Sequence, residues 1–296
     1  MNKNQVVQKQ ETSVVLRSLT EKTESRVNEL IKSGRLNLPT DYSVGNAMSS
    51  ARLILEQTKD RNGNSVLQSC NQASIANALL EMAILGLNPA KKQCYFIAYG
   101  NQLSLFTSVF GKISALKRLD GIDTEPIATI IYEGDKFDLL IDEDGNEVVT
   151  NHVTSWANKI SGKYQGAYAT LKVNGVKKSA VMTMAQIKEA WSKSQANKNH
   201  EQFTTEFMKR TVINRLIKYI LQTTSDANLL TETLIKNEEQ HYDFNNEEAV
   251  EEEIKTNANT GEVIGTPYEE AEEEIEEATQ EEEEDPYKGF NPKNLE

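Results

Sequence analysis

The chain has 296 residues, 38% of them hydrophobic, enough to bury one sizeable core. Its formal net charge of −13 is unevenly divided: residues 237–296 hold 22 acidic and 3 basic residues (net −19), leaving 23 acidic and 29 basic residues (net +6) for residues 1–236. No apolar run is long enough to span a bilayer, the N-terminus (MNKNQVVQKQETSVV) lacks the apolar stretch of a secretory signal, and Cys70 and Cys94 have no metal-type spacing, so a cytoplasmic protein with reduced thiols is expected.

Taken in chain order, residues 1–13 are polar and are expected to be disordered. Helical spacing follows over Val14–Lys32 (Val15, Leu19, Val27, Leu30, Ile31), with Gly34 as its stop, and again over Val44–Thr58. Arg61-Asn62-Gly63-Asn64 is a turn, and residues 71–86 form a third helix ending at Gly86. Two short strands, Cys94–Tyr99 and Gln102–Thr107, are joined at Gly100-Asn101 and followed by an amphipathic helix that ends in Lys117-Arg118.

Beyond Gly121 the period changes to two. Pro126–Glu133, Lys136–Asp142, Glu147–Val153, Tyr164–Val173 and Lys177–Met184 read as strands. Asn174-Gly175 is the strongest hairpin signal among the turns. Helical spacing returns over Met184–Ser194 and Glu201–Gln222, with a polar linker, residues 195–199, between them. From Asn237 onward the Glu-rich composition cannot offset the entropy of ordering, which predicts a disordered acidic tail.

Several chemistries leave no trace. There is no G-x-x-x-x-G-K-[ST] phosphate loop and no G-x-S-x-G elbow. His152, His200 and His241 lie far apart and read as surface or satisfied histidines. Asp135, Asp138, Asp142 and Asp144 resemble a Mg²⁺ cluster but read more simply as solvated turn residues.

Three segments place cations beside aromatic or hydroxyl groups, a pattern suited to nucleic acid. One holds Lys91, Lys92, Tyr95, Lys112, Lys117 and Arg118. A second, Asn158–Tyr164, is a loop entering a strand and carries Lys163. The third is the helix around Phe203–Tyr219. Here Thr211, Arg215 and Lys218 share a stripe, Lys209 lies on a neighbouring flank, and Met208, Val212, Leu216 and Tyr219 form the apolar face. Phe106 and Phe110, four apart in an apolar run, are expected in the core.

Ordered matches then accumulate. Leu85-Gly86-Leu87-Asn88-Pro89, Cys94–Gly100, Gln102–Leu105, Ser108–Gly111, Lys117-Arg118, Ile131–Phe137, Gly166–Ala169 and Phe207–Arg215 together resemble the RecT family of phage single-strand annealing proteins, over about residues 40–230. Where many members have Gly-Tyr-Lys-Gly this chain has Ser108-Val109-Phe110-Gly111, which displaces the basic residue to Lys112.

The resemblance implies an α+β fold: a small antiparallel sheet packed with helices, similar to eukaryotic annealing proteins of the Rad52 type. A helical N-terminal region (1–40), an annealing core (41–230) and an acidic tail (237–296) follow from it and from the composition. It also implies ATP-independent pairing of complementary DNA strands by a homo-oligomeric ring or filament in a bacterial host's cytoplasm. No cofactor is required, Mg²⁺ acting at most as a modulator. Lys209, Arg210, Arg215 and Lys218 are the leading phosphate contacts, with Lys112, Lys117, Arg118, Lys163 and Tyr95 behind them.

The tail has three readings: a mimic of DNA in the empty groove, a docking segment for a phage exonuclease or host single-strand-binding protein, or a solubilising appendage. Two rivals stand beside annealing: an interaction protein whose basic face meets an acidic partner, and a Mg²⁺-dependent nuclease.

Overall fold

The structure is a computed structural model, which describes residues 3–143, 145–192, 204–223 and 228–243, with side chains from residue 13 to residue 238 of these. It is an α+β fold whose elements follow the hydrophobic periods closely. The first helix, α1 (Lys3–Lys32), is followed by α2 (Val44–Gln57), the single turn α3 (Val66–Ser69) and α4 (Gln72–Ile84). Local caps set the starts. The Ser43 hydroxyl accepts from Asn46 N, and the Asn71 side chain accepts from Ser74 N, satisfying amides that a helix leaves open. A 3₁₀ turn at Pro89–Lys91 leads into β1 (Cys94–Tyr99), β2 (Gln102–Thr107) and α5 (Val109–Leu116).

The second half holds β3 (Ile127–Tyr132), β4 (Lys136–Ile141), β5 (Glu147–Val153), the short helix α6 (Trp156–Ser161), β6 (Tyr164–Val173) and β7 (Val176–Thr183). Then come α7 (Met184–Ser192), α8 (Thr204–Thr223) and α9 (Leu229–Asp243). The strands form three antiparallel units: β1-β2, β3-β6-β7 and β4-β5. Val173 pairs Val176 across Asn174-Gly175, whose φ values of +49° and +77° are those of the two-residue hairpin turn predicted there.

One continuous core runs from Leu16, Val27 and Leu30 of α1 through Leu79 and Met82 of α4 and Phe96 of β1 to Leu216 of α8 and Leu234 of α9. α8 packs across β3, β6 and β7, and α9 packs against α8, α4, α5 and β2.

Three expectations are corrected. Residues 3–13, expected to be disordered, belong to α1, since their Lys, Gln and Glu content favours a helix. The acidic segment does not begin as unstructured chain at Asn237: α9 continues to Asp243, and Asn237 is buried with its amide donating to Leu105 O at 2.9 Å. The loop expected at Asn158 is α6, capped by the Ser155 hydroxyl and stopped at Gly162 (φ +64°). The linker 195–199 and most of the acidic segment lie outside the described residues.

Candidate nucleic-acid interface

The apolar positions of α8 decide which of its faces is available. Phe207, Met208, Val212, Leu216, Ile217, Ile220 and Leu221 are buried. Arg215 and Tyr219 are exposed and Lys218 is half-buried. Tyr219, expected on the apolar face, is 52% exposed, so it joins the outer surface beside the cations. Thr211 is occupied: its hydroxyl donates to Phe207 O and accepts from the Trp191 indole N–H at 2.9 Å. The Arg210 guanidinium, half-buried, lies 5.0 Å from the centre of the Phe207 ring in a cation–π contact. Lys209 pairs with Glu206, one turn earlier, at 3.0 Å.

A second group forms where β3 ends and β6 begins. The register places Tyr132 opposite Tyr164, and the rings stand 5.8 Å apart. Burial and the neighbouring Tyr164 push the Tyr132 hydroxyl above the ordinary phenol range, while Lys209 acts in the opposite direction. Lys209 of α8 is therefore within electrostatic reach of this aromatic pair. Exposed Lys163, next to Tyr164, has a loose partner in Glu133 at 3.4 Å. Lys209, Lys163, Tyr132 and Tyr164 thus share one corner, where cations lie beside two tyrosines half-buried against the core. Sequence reasoning placed Lys209 and Lys163 in separate segments and did not select Tyr132. Only the strand register joins them.

The remaining expected contacts are placed elsewhere. Lys112 is buried, its ammonium 2.6 Å from Glu238 of α9 and 3.4 Å from Asn214 Oδ1, so its charge is matched inside the chain. Arg118 donates to Ile84 O at 3.1 Å, at the carboxyl end of α4, and to Asn37 O at 2.7 Å. Both residues hold elements together, because each sits where a helix end or a helix crossing needs a donor. Lys117 is exposed and 3.5 Å from Glu125. Tyr95 is half-buried on β1 opposite Phe106. Phe110, expected in the core, is 68% exposed on α5.

Asp135 is not a solvated turn residue. Its side chain is enclosed, accepting from Asn158 Nδ2 at 2.9 Å and Tyr132 N at 2.8 Å, with His152 Nε2 at 3.0 Å. Burial alone would raise its pKa, but hydrogen bonds from Asn158, His152, Tyr132 N and Thr154 outweigh it and hold the carboxyl well below the usual range. The other ring nitrogen of His152 meets the Tyr168 hydroxyl at 3.1 Å. His152 is therefore a satisfied histidine that clamps the base of the β4–β5 hairpin. Among the described residues no group of three His, Cys, Asp or Glu side chains is arranged to hold a metal ion, and no helix is long and apolar enough to cross a membrane.

The RecT family model matches residues 45–253, most of the chain, and runs past the expected limit near 230 to include α9. No curated protein and no solved structure matches. The chain belongs to the RecT family, whose members bind single-stranded DNA, anneal it in recombination and typically oligomerise.

Proposed function

We propose that this chain pairs complementary DNA strands without ATP, gripping one strand along the outer face of α8 and the Tyr132–Tyr164 corner. The observation that carries the reading is the placement of Arg215, Lys218 and Tyr219 on one surface of α8, with Lys209, Lys163 and the tyrosine pair nearby. Lys and Arg neutralise phosphates and release counterions, which gives affinity without sequence preference. Tyrosine faces accept any base, and stacking contributes about 1–3 kcal/mol per base.

A strand held by its phosphates leaves base edges open to a second strand. Correct register is then stabilised by base stacking and pairing, worth about 1.4 kcal/mol per step. The protein supplies extension, charge neutralisation and proximity, and no bond is made or broken. Lys112 and Arg118 are frame residues in this reading, while Lys117 and Tyr95 are secondary contacts. The site requires no cofactor, with Mg²⁺ acting through the DNA. A phage exonuclease and the host single-strand-binding protein are the partners this activity calls for, in a bacterial cytoplasm.

The test mixes complementary labelled oligonucleotides with the protein, without ATP, with and without Mg²⁺. Accelerated pairing of full-length strands is expected in both arms. Mg²⁺-dependent shortening would replace the reading with a nuclease. No retention of DNA at moderate salt would replace it with an interaction protein.

A further inference from the structure

Strand β4 exposes what most strands cover. Leu139, Leu140 and Ile141 are 42%, 55% and 58% exposed. Alternation sends Leu139 and Ile141 to one face and Leu140 to the other, so both faces are apolar. That is the composition of a strand covered from two sides. Yet among the described residues β4 pairs only with β5, and the two form a separate sheet. A two-stranded hairpin is marginal alone in water, and an apolar open edge is a template for docking.

The hairpin is nonetheless firmly rooted. Asp135 and His152 clamp its base to Asn158 and Tyr168, and Lys177 donates to Val149 O at 3.2 Å. Its far end is acidic: residues 138–147 contain five acidic residues and no basic one.

A second exposed surface has the opposite charge. α6 buries none of its residues. Trp156 and Ile160, four apart and so on one face, are 75% and 70% exposed. Lys159 and Lys163 flank them, Lys163 with Glu133 at 3.4 Å, and residues 154–163 contain no acidic residue. One surface is apolar and acidic, the other apolar and basic. Within one protomer the acidic tip lies away from α6. Asn158 ties α6 to Asp135 at the root of the hairpin, whereas six-residue strands carry the tip about 20 Å away.

We infer that the β4–β5 hairpin is a docking arm, whose apolar strand and acidic tip seat on the Trp156–Ile160 face of α6 in a second copy of this chain. Both halves of the complementary pair are present on each chain, which selects a second copy as the occupant. Because arm and seat are different patches, the contact is heterologous, and a pair of protomers joined by it still has one free arm and one free seat. Repetition then closes a ring or extends a filament.

The test is sedimentation velocity of the full chain, with and without a single-stranded oligonucleotide. Wild type assembles. Leu140→Asp, which disables the arm, and Trp156→Ala, which disables the seat, each sediment as monomers. An equimolar mixture of the two forms a 1:1 dimer and nothing larger, since one intact arm meets one intact seat. Ile141→Ser and Ile160→Ser repeat the test by smaller changes if either first variant lowers the urea midpoint. Assembly of either variant like wild type, a mixture that stays monomeric, or a monomeric wild type overturns the proposal. Assembly of Trp156→Ala alone would indicate a symmetric β4–β4 contact. Mass is read without an annealing step, so failure here and failure of the annealing reading are separable.

Discussion

Removing Glu238 tests whether Lys112 belongs to the frame or to the DNA site. Their side chains are 9% and 13% exposed and lie 2.6 Å apart. At that separation and an effective dielectric of about 20, the attraction is about 6 kcal/mol before desolvation is subtracted. Glu238→Ala leaves the Lys112 ammonium enclosed beside Asn214 without a counter-charge, and such loss of one partner costs about 3–5 kcal/mol. The double variant Lys112→Met, Glu238→Leu removes both charges and is expected to recover to within about 1 kcal/mol of wild type, because no ion then needs desolvation. Urea unfolding followed by far-UV circular dichroism reads the stability, and filter binding of a labelled oligonucleotide reads the DNA affinity. A loss below about 1 kcal/mol in Glu238→Ala, typical of an exposed pair, would refute the docking of α9 on α5. An affinity drop of about tenfold or more in the stable double variant would return Lys112 to the DNA site.

Four further outcomes are expected. Arg215→Ala with Lys218→Ala weakens single-strand binding equally for all sequences and makes the salt dependence shallower by about 1.4 log units per log unit, two contacts at about 0.7 each. Asp135, whose folded pKa is depressed, adds stability that is complete above its ordinary 3.8 and is lost as pH falls through the lower folded value; Asp135→Asn flattens that acid limb in urea midpoints measured against pH. Gly111→Ala sets a methyl against the Gln93 carbonyl and 2.9 Å from Thr107 Cγ2, and calorimetry should show a loss of about 1–3 kcal/mol. Truncation after Asp243 removes 19 acidic and 3 basic residues, raising single-strand affinity at low salt with an unchanged urea midpoint. Truncation before Asn237 lowers the midpoint, because it cuts α9 and unpairs Lys112.

Elements with a clean local period were legible in the chain. β1, β2, β5 and β6 begin and end where alternation and turn residues place them, and α8 follows its apolar spacing. The misses have local reasons too. In α9 the buried Leu230, Leu234 and Asn237 fall at helical spacing, but Asn237 and Glu238 open a Glu-rich stretch whose composition conceals the pattern. α6 is too short to display a period. Lys112 and Arg118 look like surface cations because their partners, Glu238, Asn37 and Ile84, come from other elements, and spacing within one helix carries no information about them. The Tyr132–Tyr164 pair exists only through strand register.

These reassignments change how affinity must arise. Composition credits residues 1–236 with a net charge of +6, yet Lys112 is neutralised inside the core and Arg118 holds backbone carbonyls. Lys209, Lys163 and Lys117 each have a carboxylate within 3.5 Å, so a phosphate must displace an existing partner to gain full contact. A single protomer therefore offers a strand only a few contacts, so its affinity is low at any salt, although at about 0.7 of salt slope per phosphate its salt dependence is shallow. Repetition of the same surface in an assembly makes each later contact intramolecular, and retention then grows without any new kind of contact. It follows that variants confined to the β4–β5 arm or to the α6 seat, which leave every cation on α8 untouched, should lose DNA at salt concentrations where wild type retains it.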